Sequence, residues 1–290
     1  MHIFDTKLVV ITTKEGAEGR KQPKLSAKEN LATHIVWVYN KHMKKKYYQT
    51  GGAPTMSNPV LERKTAALSG RGATVQGIAM ITLLDLGFVV AAAMMAWQHP
   101  ELFAPHIIVL TFAGLGVGLF ACYQPKLATF LGPVYAILEG FLIGVYSLLL
   151  ETRYPGIVMQ AATCTFGIAF ACAVLYSTGV VKVTEKFMKI VFTLTLGVAT
   201  IYIIDLIAWF VFDTNVPLLH ENSLAGIAVS VVIICIATAR LFVDYEVVTR
   251  AVEQGVDAKY EPYYAFGLTV TLIWLYLEIL RLMGKTRSRK

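Results

Sequence analysis

From residue 76 onwards the chain alternates long apolar runs with short polar interruptions. Seven runs have roughly the 20-residue length that a helix needs to cross a bilayer. They cover residues 76–97, 105–122, 130–150, 156–178, 187–212, 224–243 and 262–283. The pattern predicts an all-α fold, a polytopic membrane bundle of about seven transmembrane helices within residues 76–283. The interruptions are short, so neighbours in sequence should be antiparallel neighbours in space. Polar residues mark the predicted ends: the sixth run closes at Asp244, a polar turn follows, and the last run carries Glu278. Residues 56–75 form a short polar segment before the first run, and residues 284–290 a basic C-terminal tail.

Composition sharpens the class. The chain is 56% hydrophobic and 16% charged, against about 25% charged in soluble domains. The net charge of +7 is uneven: residues 1–55 hold 10 Lys and Arg against 4 Asp and Glu, and the remainder 16 against 15. A basic segment before a first membrane helix marks the cytoplasmic side. Lys126, Lys182, Lys186, Arg250 and Lys259 fall on that same side, whereas the opposite loops hold Arg153 beside Glu101, Asp213 and Glu221. The N terminus is therefore expected in the cytoplasm, the protein in a bacterial inner membrane, and the lipid bilayer as its first partner. An odd number of spans then leaves the basic end, 285–290, on the far side. Either that charge is tolerated there or one segment is re-entrant.

No nucleic-acid-binding module accompanies the basic segment, so nucleic acid is not an expected partner. Residues 1–55 show no signal-peptide pattern. They read either as a disordered basic tail or as sequence upstream of a start at Met56. Cys122, Cys164, Cys172 and Cys235 lie in apolar runs without a C-x-x-C pair and read as small buried hydrophobes. The six histidines have no metal-ligand spacing. No G-x-S-x-G and no helical histidine pair is present, so an enzyme is not expected, nor is a cofactor. Gly114, Gly116 and Gly118, and the Gly140-x-x-x-Gly144 pair, predict close helix packing. Trp97, Trp209, Tyr154, Tyr260 and Tyr263 fit an aromatic belt at span ends.

Three stretches go beyond hydropathy. Leu241-Phe242-Val243-Asp244 closes the sixth run and Leu280-Arg281-Leu282 closes the last. Pro133-Val134-Tyr135-Ala136, followed by Leu138-Glu139-Gly140, lies in the third. Together they resemble the Bax-inhibitor-motif family of small helical membrane proteins, over about residues 76–283. The resemblance implies a compact bundle with the last helix near its centre and activity as a pH-sensitive calcium leak. In that family two aspartates, on the sixth and seventh helices, share a proton and gate the path, since two adjacent carboxylates do not both ionise cheaply. Asp244 matches the first, with Tyr245 where a threonine is usual. The second falls at Thr271, which can hydrogen-bond Asp244 but cannot supply a charge. The resemblance also implies a rival role: a non-conducting regulator that touches a membrane protease or stress-response partner.

Carboxylates at membrane depth are costly and usually face a bundle interior or a water path. Their depths predict a vertical series with Asp244 towards the inside, Glu139 midway, and Asp205 and Glu278 towards the outside. Hard oxygen ligands suit calcium or protons, and Asp244 and Glu278 are the candidate calcium ligands. Arg240, four residues before Asp244, and Arg281, three after Glu278, can instead make plain ion pairs. Asp85 in the first run stands apart. It either lines the same cavity or caps an interhelical bond.

Overall fold

The computed structural model describes residues 71–214, 216, 219 and 221–289. The expectations for residues 1–55, the start at Met56 and most of the polar segment 56–75 lie outside the described residues. Among those described, seven helices are long and apolar enough to span a membrane. They are α1 Val75–Gln98, α2 Pro100–Tyr123, α3 Pro125–Arg153, α4 Ile157–Ser177, α5 Glu185–Phe212, α6 Leu224–Glu253 and α7 Ala258–Ser288. Local chemistry sets their starts. The hydroxyls of Thr74, Thr184 and Ser223 accept the backbone N–H of Gly77, Phe187 and Gly226 and so cap α1, α5 and α6. Prolines open α2 and α3, and Pro262 opens the α-helical part of α7 after a 3-10 turn, where a missing N–H costs nothing.

α7 forms the core. It packs against α1, α3, α4 and α6, and half of its apolar window is buried, against 6% for α2. α2 leans on α3 and α5 on α6 at the periphery. Large apolar side chains such as Phe130, Met159, Phe170 and Phe212 point outward and contact the lipid of the bilayer that seven such helices require. Cys122, Cys164 and Cys235 share this outer surface, and only Cys172 is buried. That corrects the expectation that all four are buried: in lipid, an apolar helix has no need to turn a cysteine inward.

The α1–α3 seam is the tightest. A Cβ added at Gly140 would stand 2.6 Å from the Val89 carbonyl oxygen and 2.7 Å from Ala92 Cβ, and one at Gly144 would collide with Ala93 and Ala96. Gly114 and Gly118 likewise face Glu139 and Tyr135 of α3, but Gly116 faces open space.

Two helices run at least five residues past their predicted C-terminal ends. α6 does not close at Asp244 but continues to Glu253. Its extra turns are amphipathic. Val248 and Ala251 pack on Tyr264, Ala265 and Leu268, while Glu246 accepts from Tyr176 Oη at 2.8 Å and Arg250 Nε at 2.6 Å. Arg250 also pairs with Glu185, so α4, α5 and α6 are tied together. α7 does not end at Met283 but runs to Ser288, which absorbs most of the expected basic tail.

Contacts at the two ends of the bundle fix the topology. At one end the Ala73 N–H donates to the Val256 carbonyl at 2.7 Å and the Ala258 N–H to the Arg71 carbonyl at 2.9 Å. The Glu261 carboxylate accepts the Thr74 N–H at 2.8 Å and its hydroxyl at 3.2 Å. Asp257 sits in the same turn, where the Lys259 backbone N–H and ammonium hold its carboxyl below the usual range. At the other end Arg287 donates to the Pro155 carbonyl at 3.1 Å, and Asn222 Nδ2 to Ser288 Oγ at 2.7 Å. The start of α1 and the end of α7 therefore lie on opposite faces. Each of the seven helices is long and apolar enough for a full crossing, and the basic end of α7 lies at the opposite end of the bundle from the start of α1.

Candidate functional site

Every seventh residue of a helix returns to nearly the same side. On α7 the residues Tyr264, Thr271, Glu278 and Lys285 make such a stripe, and on α6 Ser230, Ala237, Asp244 and Ala251 make another. Two contacts lock the stripes in antiparallel register: Thr271 with Asp244 and Lys285 with Ser230. All eight residues except Tyr264 and Ala251 take part in three polar levels along the seam.

At the first level Asp244 is buried. Thr271 Oγ1 lies 2.5 Å from its Oδ2, and Arg240 Nη2 lies 3.0 Å from its Oδ1. Thr271 Oγ1 is also 3.2 Å from the Gly267 carbonyl. A hydroxyl has one hydrogen. When Thr271 donates to a charged Asp244, the Gly267 carbonyl goes without it. When Thr271 donates to Gly267, a protonated Asp244 can donate to Thr271. The geometry accommodates both protonation states of Asp244. Asp244 stands nine residues before the end of α6.

At the second level α6 presents Ala237, whose small side chain leaves the Glu278 carboxylate free to reach α5. Glu278 is 1% exposed. Its Oε1 accepts from Tyr202 Oη at 2.5 Å, Trp274 Nε1 at 3.2 Å and Arg281 Nη1 at 3.2 Å. Arg281 also donates to Tyr202 Oη at 2.7 Å and stands over its ring, 5.1 Å from the centroid. At the third level Lys285 is buried, donating to Ser230 Oγ at 2.8 Å and the Gly226 carbonyl at 3.1 Å.

The remaining predicted acids lie elsewhere. Asp205 accepts the Val216 N–H at 2.8 Å in the α5–α6 connection, and Tyr202, one turn earlier on α5, is the residue that reaches Glu278. Glu139 faces α2, its Oε1 3.1 Å from where a Cβ on Gly114 would stand. Asp244 and Glu278 are seven residues of helix apart in register, about 10 Å, and each has its own arginine. The structure does not join them as one calcium ligand set, and among the described residues no three His, Cys, Asp or Glu gather to hold a metal. Tyr202, Trp274 and Ser230 carry no signal in the sequence, and Lys285, expected in the basic tail, is buried in the seam. For Lys285 the signal was there, as the next step of seven after Thr271 and Glu278.

Residues 30–288 match a family model described as Bax inhibitor 1 like. The match starts upstream of residue 76, where the resemblance read from motifs begins. No curated protein matches this chain. No solved structure matches it.

Proposed function

We propose that this chain, which belongs to the Bax inhibitor 1 like family, is a pH-modulated cation leak, with calcium the expected permeant ion. We place it in the bacterial inner membrane with its N terminus in the cytoplasm. The observation that carries this reading is the Asp244 level: one buried carboxylate, at membrane depth, held by Thr271 and Arg240 in an arrangement that suits either protonation state.

In the charged state the Arg240 guanidinium neutralises Asp244 and fills the space beside it. A proton on Asp244 removes that ion pair. Thr271 Oγ1 then accepts the new O–H, and Arg240 is released. Calcium flux should therefore rise as pH falls through the range in which Asp244 titrates. Glu278 supplies a further carboxylate on the same seam, held at the next level by Tyr202 and Arg281.

The test is calcium entry into proteoliposomes at acidic and alkaline pH, with the wild type and Asp244→Asn. The expected result is flux that depends on pH in the wild type and loses that dependence in the variant. A folded wild type that passes no calcium at any pH would end the reading. The contact regulator is the second reading, favoured by the fact that Asp244 and Glu278 each pair with an arginine on their own helix, as a static bundle requires. Normal function in Asp244→Asn and Glu278→Gln, with loss in variants of the exposed loops, would select it.

A further inference from the structure

Asp85 of α1 is 2% exposed, and its carboxylate makes no hydrogen bond or ion pair with any described residue. It faces a glycine: a Cβ added at Gly132 of α3 would stand 3.3 Å from Asp85 Oδ2. Along α1 it lies between two apolar clusters. Ile78, one side of it, packs with Tyr264 and Leu268, and Val89, on the other, packs with Tyr135, Phe266 and Ile273.

Its depth follows from the topology. α1 and α7 leave the same point, where Thr74 bonds Glu261. Asp85 lies eleven residues beyond Thr74 and Thr271 ten beyond Glu261. At 1.5 Å per residue these are about 16 and 15 Å into the bundle. Asp85 is thus level with Thr271 and Asp244, on a helix packed against α7. The ionisable groups on the helices around it are Tyr135 and Glu139 of α3, Tyr264 of α7, and Arg240 and Asp244 of α6. None of them bonds it. Tyr264 Oη is itself buried without a partner.

An isolated carboxylate at this depth is expensive. The bundle knows how to satisfy one: Glu278 receives three donors. Asp85 receives none among the described residues. Calcium would need six to eight oxygens around it, and the α1–α3 seam, closed on Gly132, does not offer them. A proton needs no such shell.

We propose that Asp85 is a second proton-exchange site in this protein, set at the level of Asp244. It supplies at that depth the titratable carboxyl that Thr271 cannot. This deepens the pH-modulated reading above and rests on it only for its consequence for flux.

The test uses the full chain in lipid. Infrared spectra should show a protonated-carboxyl C=O stretch that is missing from Asp85→Asn, whose amide has the same size, and that fades on alkaline titration. Identical spectra from the two proteins would overturn the proposal, as would a band that no pH change moves. If Asp85→Asn does not fold, a hydrophobic carbodiimide on the wild type decides. The acid O–H adds across its N=C bond and rearranges to an N-acylurea, with no leaving group, and the adduct is mapped by mass. An adduct at Asp85 upholds the site, and adducts at other carboxyls alone overturn it. A wild type without calcium flux would remove the leak and leave the infrared result standing.

Discussion

Glu278 and Asp85 are both acids buried at membrane depth, on helices that touch, and their surroundings differ completely. Glu278 has a full set of donors, an arginine among them, so its energetic weight is in the pairing. Removing one partner of a buried pair leaves an uncompensated charge and costs about 3–5 kcal/mol. Arg281→Met should destabilise the folded protein by that amount in detergent denaturation, and a loss under about 1 kcal/mol would show that the pair is solvated. The single acids were visible in the sequence because a carboxylate in an apolar run is rare. Their partners were visible only where they share a helix, as Arg240 and Arg281 do. Tyr202 is 76 residues from Glu278, and nothing in either run announces the contact.

At the scale of the element, hydropathy located all seven helices but misjudged where two of them stop. It reports contact with lipid, not backbone hydrogen bonding. After Asp244 polar residues return to the sequence yet the helix continues, because Val248 and Ala251 still have Tyr264 and Leu268 to cover. The same limit applies to the glycines. Gly140 and Gly116 look alike in sequence, but only the first meets a neighbouring backbone. Gly140→Ala should cost about 1–3 kcal/mol through overpacking against α1. Gly116→Ala should gain up to about 1 kcal/mol, the difference in helix propensity. Thermal unfolding of the two variants side by side checks both signs, and a neutral Gly140→Ala would mean that α1 yields.

For the whole molecule, the contacts at its two ends put the start of α1 and the end of α7 at opposite ends of the bundle, an arrangement that charge counting alone left open. A reporter that is active only outside the cytoplasm should therefore work when fused after residue 290 and fail when fused before α1. Equal activity at both ends would overturn the crossing number. The central place of α7 also bears on how the protein is made. α7 is the last of the seven in chain order and the least apolar, with Thr271, Glu278 and Lys285 along one side. A ribosome delivers it after Asp244, Tyr202 and Ser230 have already emerged. The span least able to enter lipid alone arrives when its partners are waiting, and until then the other six helices surround an unfilled middle. A chain arrested before α7 should be held by the insertion machinery, or degraded, rather than released as a smaller bundle.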